Sequence, residues 1–276
     1  MSYKTILVHV DRSRQAPERI RMAARLALAQ DAHLIGAAMS GISRFVYQDS
    51  SIDLTRTIVA GHIDALYQEA RAALAQFDAI AGAMGVLSRE ARLVDDEPEG
   101  ALALQARYAD LVVLSQADPE DPVARIAAAL PAYVMLHSTR PVLLVPYAGS
   151  FDQVGTHALV AWDAGMEATR AVTSAIPLLR RADAVSVVLF NSSAEHGEQP
   201  GADIALYLAR HGVRVELHEQ RTEIDIGSSL LSMAADLRAD LLVMGCYGHA
   251  RVREVLLGGV TQTILGAMTV PVLMCH

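Results

Sequence analysis

The chain has 276 residues, enough for one large domain or two ordinary ones, and 52% of them are apolar, so a sizeable core is easily filled. Its formal charge of −8 and pI near 5.6 come with neither a basic block nor a basic face, which excludes a general binder of nucleic acid or of anionic membranes. Two cysteines, Cys246 and Cys275, are too few for a disulfide framework, no apolar run reaches the ~20 residues that span a bilayer, and MSYKTILVHVDRS has no signal-type apolar stretch; the expectation is a cytoplasmic protein with no membrane partner.

Residues 5–10 are nearly all apolar, as in a central parallel strand, and end at Asp11. A helix is expected over 17–30, with Ile20, Ala23, Ala24, Ala27 and Leu28 on its apolar face and Glu18, Arg21 and Arg25 toward water. A strand at 33–39, a polar loop at 41–51, a long helix at 57–83, a strand at 88–94 and a short helix at 98–108 follow. A further apolar run at 111–114, a helix at 123–137 and a strand at 141–146 close this half.

The chain then repeats itself. HALVAWD at 157–163 lies over TILVHVD at 5–11, an offset of 152, and Ala239-Asp240-Leu241 lies over Ala109-Asp110-Leu111, an offset of 130 that Pro141 and Pro271 share. The difference leaves about 22 additional residues in the first copy, placed around 41–61. The second copy reads as strands at 157–162, 184–190, 213–219, 240–244 and 271–275, alternating with helices at 167–181, 200–211, 227–238 and 259–268. The fold class is therefore α/β: two tandem doubly wound, Rossmann-like domains at 1–147 and 156–276, each a five-stranded parallel sheet with four helices.

In such sheets ligands sit beyond the carboxyl ends of the strands, beside the first strand. With strand one next to strand four, Asp163 faces the loop after 241–244, which reads Gly245-x-x-Gly248, nine residues, then Gly258-Gly259-Val260-Thr261. Glycines there suit a phosphate cradle at a helix N-terminus, or equally a loop with capping glycines. Asp163 likewise reads as a ligand or as a helix cap. Cys246 reads as a small structural residue rather than a redox switch, His249 as an exposed bystander, Arg251 and Arg253 as solvated charges, and Gly227-Ser228-Ser229 as a helix cap.

The first strand ending in Asp163, the G-x2-G-x9-G loop followed by a threonine, and the closing Pro271-Val272-Leu273 resemble the universal stress protein family in its tandem form. The resemblance implies that ATP or a related adenine nucleotide is held by the backbone of Gly245, Gly248 and Gly258 through Thr261, including Gly259 and Val260. It further implies Asp163 near the phosphates or a Mg²⁺ ion, Ala161, Trp162 and Phe190 at the adenine and ribose end, and Met244 leading into the loop. Phe190 is larger than the aliphatic residue usual there, and Gly259 stands where the family has serine or threonine, a lost contact of about 1 kcal/mol. Weakened or selective binding follows, by a stress-linked sensor or regulator with at most slow hydrolysis. The alternatives are an interaction module of the same fold without nucleotide, and a small-molecule enzyme. In the first copy, Gly245, Gly248, Gly258, Gly259 and Thr261 fall on Ser115, Asp118, Ala128, Ala129 and Pro131, so that copy is expected to bind no nucleotide. The closing strands at 142–145 and 272–275 are expected to pair the two domains within one chain, and chains to pair again as homodimers.

Overall fold

The computed structural model describes residues 2–41, 56–123, 128–191, 199–248 and 259–276. The expected loop at 41–51 and most of the first copy's extra segment lie outside the described residues, as do Gly258, His249, Arg251 and Arg253. The chain divides into two compact units, Tyr3–Arg140 and Pro141–His276.

In the first unit β1 (Thr5–His9), α1 (Ala16–Gln30), β2 (His33–Met39), α2 (Arg56–Ala83), β3 (Arg89–Val94), α3 (Pro98–Ala106), β4 (Leu111–Ser115) and α4 (Leu130–His137) alternate along the chain. Their strands stand in the order β3-β2-β1-β4, all parallel. Ile6, Leu7 and Val8 of β1 and Leu111 to Leu114 of β4 are buried, as unbroken apolar runs covered on both faces should be. Helix α1 departs from the expected pattern in two places: Glu18 is buried, held by Arg21 at 3.2 Å and Arg25 at 3.4 Å, and Leu28 is exposed. A carboxylate paired with two arginines on its own helix can be covered by their alkyl stems, which simple apolar periodicity does not register.

The second unit holds β5 (Val142–Val145), β6 (His157–Ala161), α5 (Met166–Leu179), β7 (Ala184–Phe190), α6 (Pro200–Arg210), β8 (Glu216–Gln220), α7 (Ile226–Asp236), β9 (Leu241–Gly245), α8 (Gly259–Ala267) and β10 (Val272–Cys275). Five strands in the order β10-β9-β6-β7-β8 are parallel, and β5 runs antiparallel along β10, with Leu143 opposite Leu273. Strand β8 begins three residues later than expected: Val213 is buried ahead of it, and ELHEQ, largely polar, is edge-strand sequence with little apolar signal. Helix α4 is shorter than the expected 123–137, starting at Leu130, with residues 124–127 outside the described part. Among the described residues no helix is long and apolar enough to cross a membrane.

The repeated Ala-Asp-Leu triplets have a shared mechanical role. Asp110 accepts the backbone N–H groups of Lys4 (2.7 Å) and Thr5 (3.0 Å), and Asp240 accepts those of Thr156 (3.1 Å) and His157 (3.0 Å). Each aspartate, just ahead of the fourth strand of its copy, thereby fixes the start of the first strand beside it. Replacing Asp240 with alanine orphans two N–H groups at a partly exposed site, and a loss of about 1–2 kcal/mol is expected as a lower urea midpoint.

Candidate functional site

Strands β6 and β9 are adjacent and parallel, Leu159 opposite Leu242, so their carboxyl ends open side by side. Beyond them lies a cavity of about 340 Å³, within the size range of small-molecule sites. Ala161, Trp162 and Asp163 enter it from the end of β6 and Phe190 from β7. Met244, Gly245 and Gly248 enter from β9 and its loop, and Gly259, Val260 and Thr261 from the first turn of α8. Ten of the eleven residues singled out in the sequence thus share one cavity, the eleventh, Gly258, being outside the described residues.

Two glycines shape it. A Cβ on Gly245 would stand 2.6 Å from the backbone nitrogen of Ala168 and 2.7 Å from the carbonyl carbon of Glu167, so α5 packs its first turn directly onto the end of β9. A Cβ on Gly248 would stand 2.7 Å from Oε2 of Glu167, whose side chain therefore reaches across the turn to the loop. Gly259 is different: among the described residues nothing lies within 4 Å of where its Cβ would be. Tyr247, between the first two glycines, takes a left-handed φ of 57°, and its N–H is 3.4 Å from the Oγ1 of buried Thr261. That bond ties the loop after β9 to α8.

Asp163 is exposed and accepts the N–H of Gly165 at 2.8 Å, while the N-cap position itself falls on Gly165, with no side-chain cap bond. It turns the chain into α5 rather than capping it. Gly227-Ser228-Ser229 lie in the first turn of α7 and are capped by Asp225, which accepts the N–H of Ser228 at 2.8 Å. Cys246 and Cys275 are buried, and burial pushes both thiols upward, so both stay protonated and inert. Burial, followed by the neighbouring Cys246, also pushes the Tyr247 hydroxyl up to about 12.

Among the wall residues not foreseen are Glu167, Asn191, Ile226, Leu230 and Tyr247. Of these only Glu167 carried a readable signal, four residues past Asp163 in the first turn of a helix. Asn191 acts through the frame, with its side chain bonded to the N–H and C=O of Thr222 at 3.0 and 3.1 Å.

The corresponding place in the first copy is closed. His9, Asp11, Leu114, Ser115, Leu130 and Pro131 occupy the positions of Ala161, Asp163, Met244, Gly245, Val260 and Thr261, and the space left is about 20 Å³. What fills it is Arg19, at the position of Ala171. Its guanidinium is buried and donates to the carbonyl of His9 (2.7 Å), to Oδ1 of Asp11 (2.7 Å) and to Oγ of Ser115 (3.0 Å). Asp118 and Asp121 are buried and accept backbone N–H groups, those of Glu120 at 2.9 Å and of Arg14 at 2.7 Å among them.

Burial pushes the Asp11 carboxyl up, but the charge of Arg19, then His9 and the bonds from Ser13 and Arg19, outweigh it and hold the group well below the ordinary carboxylate range. Burial drives His9 down to about 4, helped by Arg19 and opposed by Asp11. His9 is therefore neutral at pH 7, and its 3.6 Å approach to Asp11 is no ion pair.

Residues 2–146 and residues 156–276 each match the universal stress protein family. The chain belongs to that family. A universal stress protein from Archaeoglobus fulgidus DSM 4304 shares its fold along almost the whole length, with a TM-score of 0.76 and 15% identity over 98% of this chain and 95% of that one. A functionally unknown protein from Pseudomonas aeruginosa PAO1 follows, with a TM-score of 0.59 and 16% identity over 99% and 92%. A universal stress protein solved in complex with cAMP covers 52% of this chain with 98% of its own, at 26% identity and a TM-score of 0.36. No curated protein matches.

The two universal stress domains of this chain should respond differently to mutation and pH. Arg19→Ala leaves the Asp11 carboxylate without its partner; because that side chain is 21% exposed, the expected loss is at the lower end for broken buried pairs, about 2–4 kcal/mol, read by urea denaturation. For His9 the folded value lies below the unfolded 6.5, so on acidification the unfolded chain takes the proton first. Stability of the first domain should therefore fall between pH 6.5 and about 4, by at most about 3 kcal/mol, and His9→Ala should flatten that slope.

Proposed function

We propose that the chain binds an adenine nucleotide in its second domain and works as a stress-linked sensor or regulator rather than as a catalyst. The observation that carries the reading is the contrast between copies: matching positions enclose about 340 Å³ in the second and about 20 Å³ in the first. A fold that keeps one such space open and fills the other with its own arginine has retained the open one for an occupant.

The residues present suit the two ends of a nucleotide. Trp162, Val188, Phe190, Ile226 and Leu230 offer an apolar and aromatic wall for a base. Opposite, the first turn of α8, with Gly259, Val260 and Thr261 on the wall, brings backbone N–H groups and the positive end of the helix dipole, which favour an anion. Asp163, at the mouth, would meet phosphates through a Mg²⁺ ion held mainly by the phosphates themselves; among the described residues no group of three His, Cys, Asp or Glu is placed to hold a metal alone. The indole N–H of Trp162 and the hydroxyl of Tyr247 are buried without partners among the described residues, and each would gain from an acceptor or a water at that wall. No described pair of side chains stands as nucleophile and base along the cavity, which favours binding over turnover.

Trp162 is the chain's single tryptophan, so its fluorescence reports the site directly. Titration with ATP·Mg²⁺ is expected to change that emission and to release heat in calorimetry. Gly248→Glu, which adds bulk and charge against Glu167, is expected to abolish both, whereas Gly259→Ser should tighten binding by a few-fold to about tenfold. Silence from the wild type at millimolar ATP ends the nucleotide reading, and binding that survives Gly248→Glu moves the site elsewhere.

A further inference from the structure

Glu167 sits on the wall where the glycine loop turns, and its position is imposed rather than adopted. The first turn of α5 is seated on Gly245, with main-chain atoms 2.6 and 2.7 Å from where a Cβ would be, so the backbone carrying Glu167 starts from the very end of β9. From there its Oε2 lies 2.7 Å from the Cβ position of Gly248, over the backbone that would otherwise be open to a phosphate. The carboxylate is half-buried and has no hydrogen bond or ion pair among the described residues. Asp163 stands on the same wall, and none of the described residues lining the cavity is lysine or arginine. An ionised carboxylate accepts hydrogen bonds and donates none, so a hydroxyl group or a cation is welcome beside it and a bare phosphate oxygen is not. In the first copy the same position by offset is Gln15, an uncharged side chain of the same length.

We propose that Glu167 makes this site selective for adenine ligands of low charge, a nucleoside or monophosphate, over metal-free polyphosphate. The selectivity rests on the adenine-site reading above. It acts through repulsion: each further phosphate brings negative charge toward Glu167 and Asp163 unless a divalent cation lies between them.

The test titrates the full chain with adenosine, AMP, ATP with a chelator and ATP·Mg²⁺, following Trp162 emission, for the wild type, Glu167→Gln and Glu167→Asp. For the wild type, affinity should fall from adenosine through AMP to metal-free ATP and recover with Mg²⁺. Glu167→Gln should tighten metal-free ATP by roughly tenfold while moving adenosine less than about twofold. Glu167→Asp, which keeps the charge, should preserve the wild-type order, with thermal melting confirming that both variants fold. Metal-free ATP binding as tightly as adenosine to the wild type, or Glu167→Gln shifting every ligand alike, overturns the assignment to Glu167 while leaving an adenine site standing. If no member of the panel binds any of the three proteins, the adenine-site reading itself falls and this one with it.

Discussion

The close approach of α5 to the end of β9 is the constraint on which the second domain's site depends. It exists because residue 245 has no side chain: a methyl group there would overlap the main chain of Glu167 and Ala168. A backbone-to-backbone clash has no rotamer to relieve it, so the helix would have to move as a body. The same close packing sets three further things at once: the direction in which Glu167 leaves the helix, the turn that Asp163 makes through its bond to Gly165, and the depth of the cavity beneath Trp162.

The first copy shows what happens when that constraint is released. Ser115 replaces the glycine and supplies a hydroxyl, and Arg19 replaces a small residue one helical turn further on and supplies a buried cation. The aspartate shared by both copies then meets two different fates. Asp11 is locked in a network with Arg19 and Ser13, whereas Asp163 faces the cavity mouth. Burying a guanidinium is tolerable only because three acceptors meet it, so the substitutions at 19 and 115 make sense together, beside the shared aspartate and the main-chain carbonyl of residue 9. The pair of domains thus illustrates one frame carrying a closed and an open version of the same place.

Much of this was legible in the sequence, and the reasons differ by feature. The buried parallel strands, the two offsets and the meeting of Asp163 with Gly245 follow from apolar runs and topology, both of which act on whole elements. The Ala-Asp-Leu repeat marked the copies, although its purpose, the clamp on the first strand, needed the pairing partner at Thr156 and His157. Arg19 could not be read, because nothing in a helical periodicity separates a solvated arginine from one aimed at three acceptors across a sheet. Ile226, Leu230 and Tyr247 carried no signal of their own; their place on the wall depends on how α7 and the loop after β9 converge. The expected start of strand β8 falls three residues early because a largely polar edge strand leaves little alternation to anchor it.

The antiparallel seat of β5 on β10 bears on how the second domain can be handled in isolation. Every residue of Val272–Cys275 is buried, and its outer backbone edge is occupied by Val142–Val145. A fragment begun at the family boundary near residue 156 would strip that edge and present an apolar strand with unpaired N–H and C=O groups, a template for another chain to join. A fragment begun at Pro141 keeps that pairing, because β5 falls in the same compact unit as β10. The compact unit is therefore not the unit of sequence repetition: the last strand of the first repeat is counted, by its contacts, with the second.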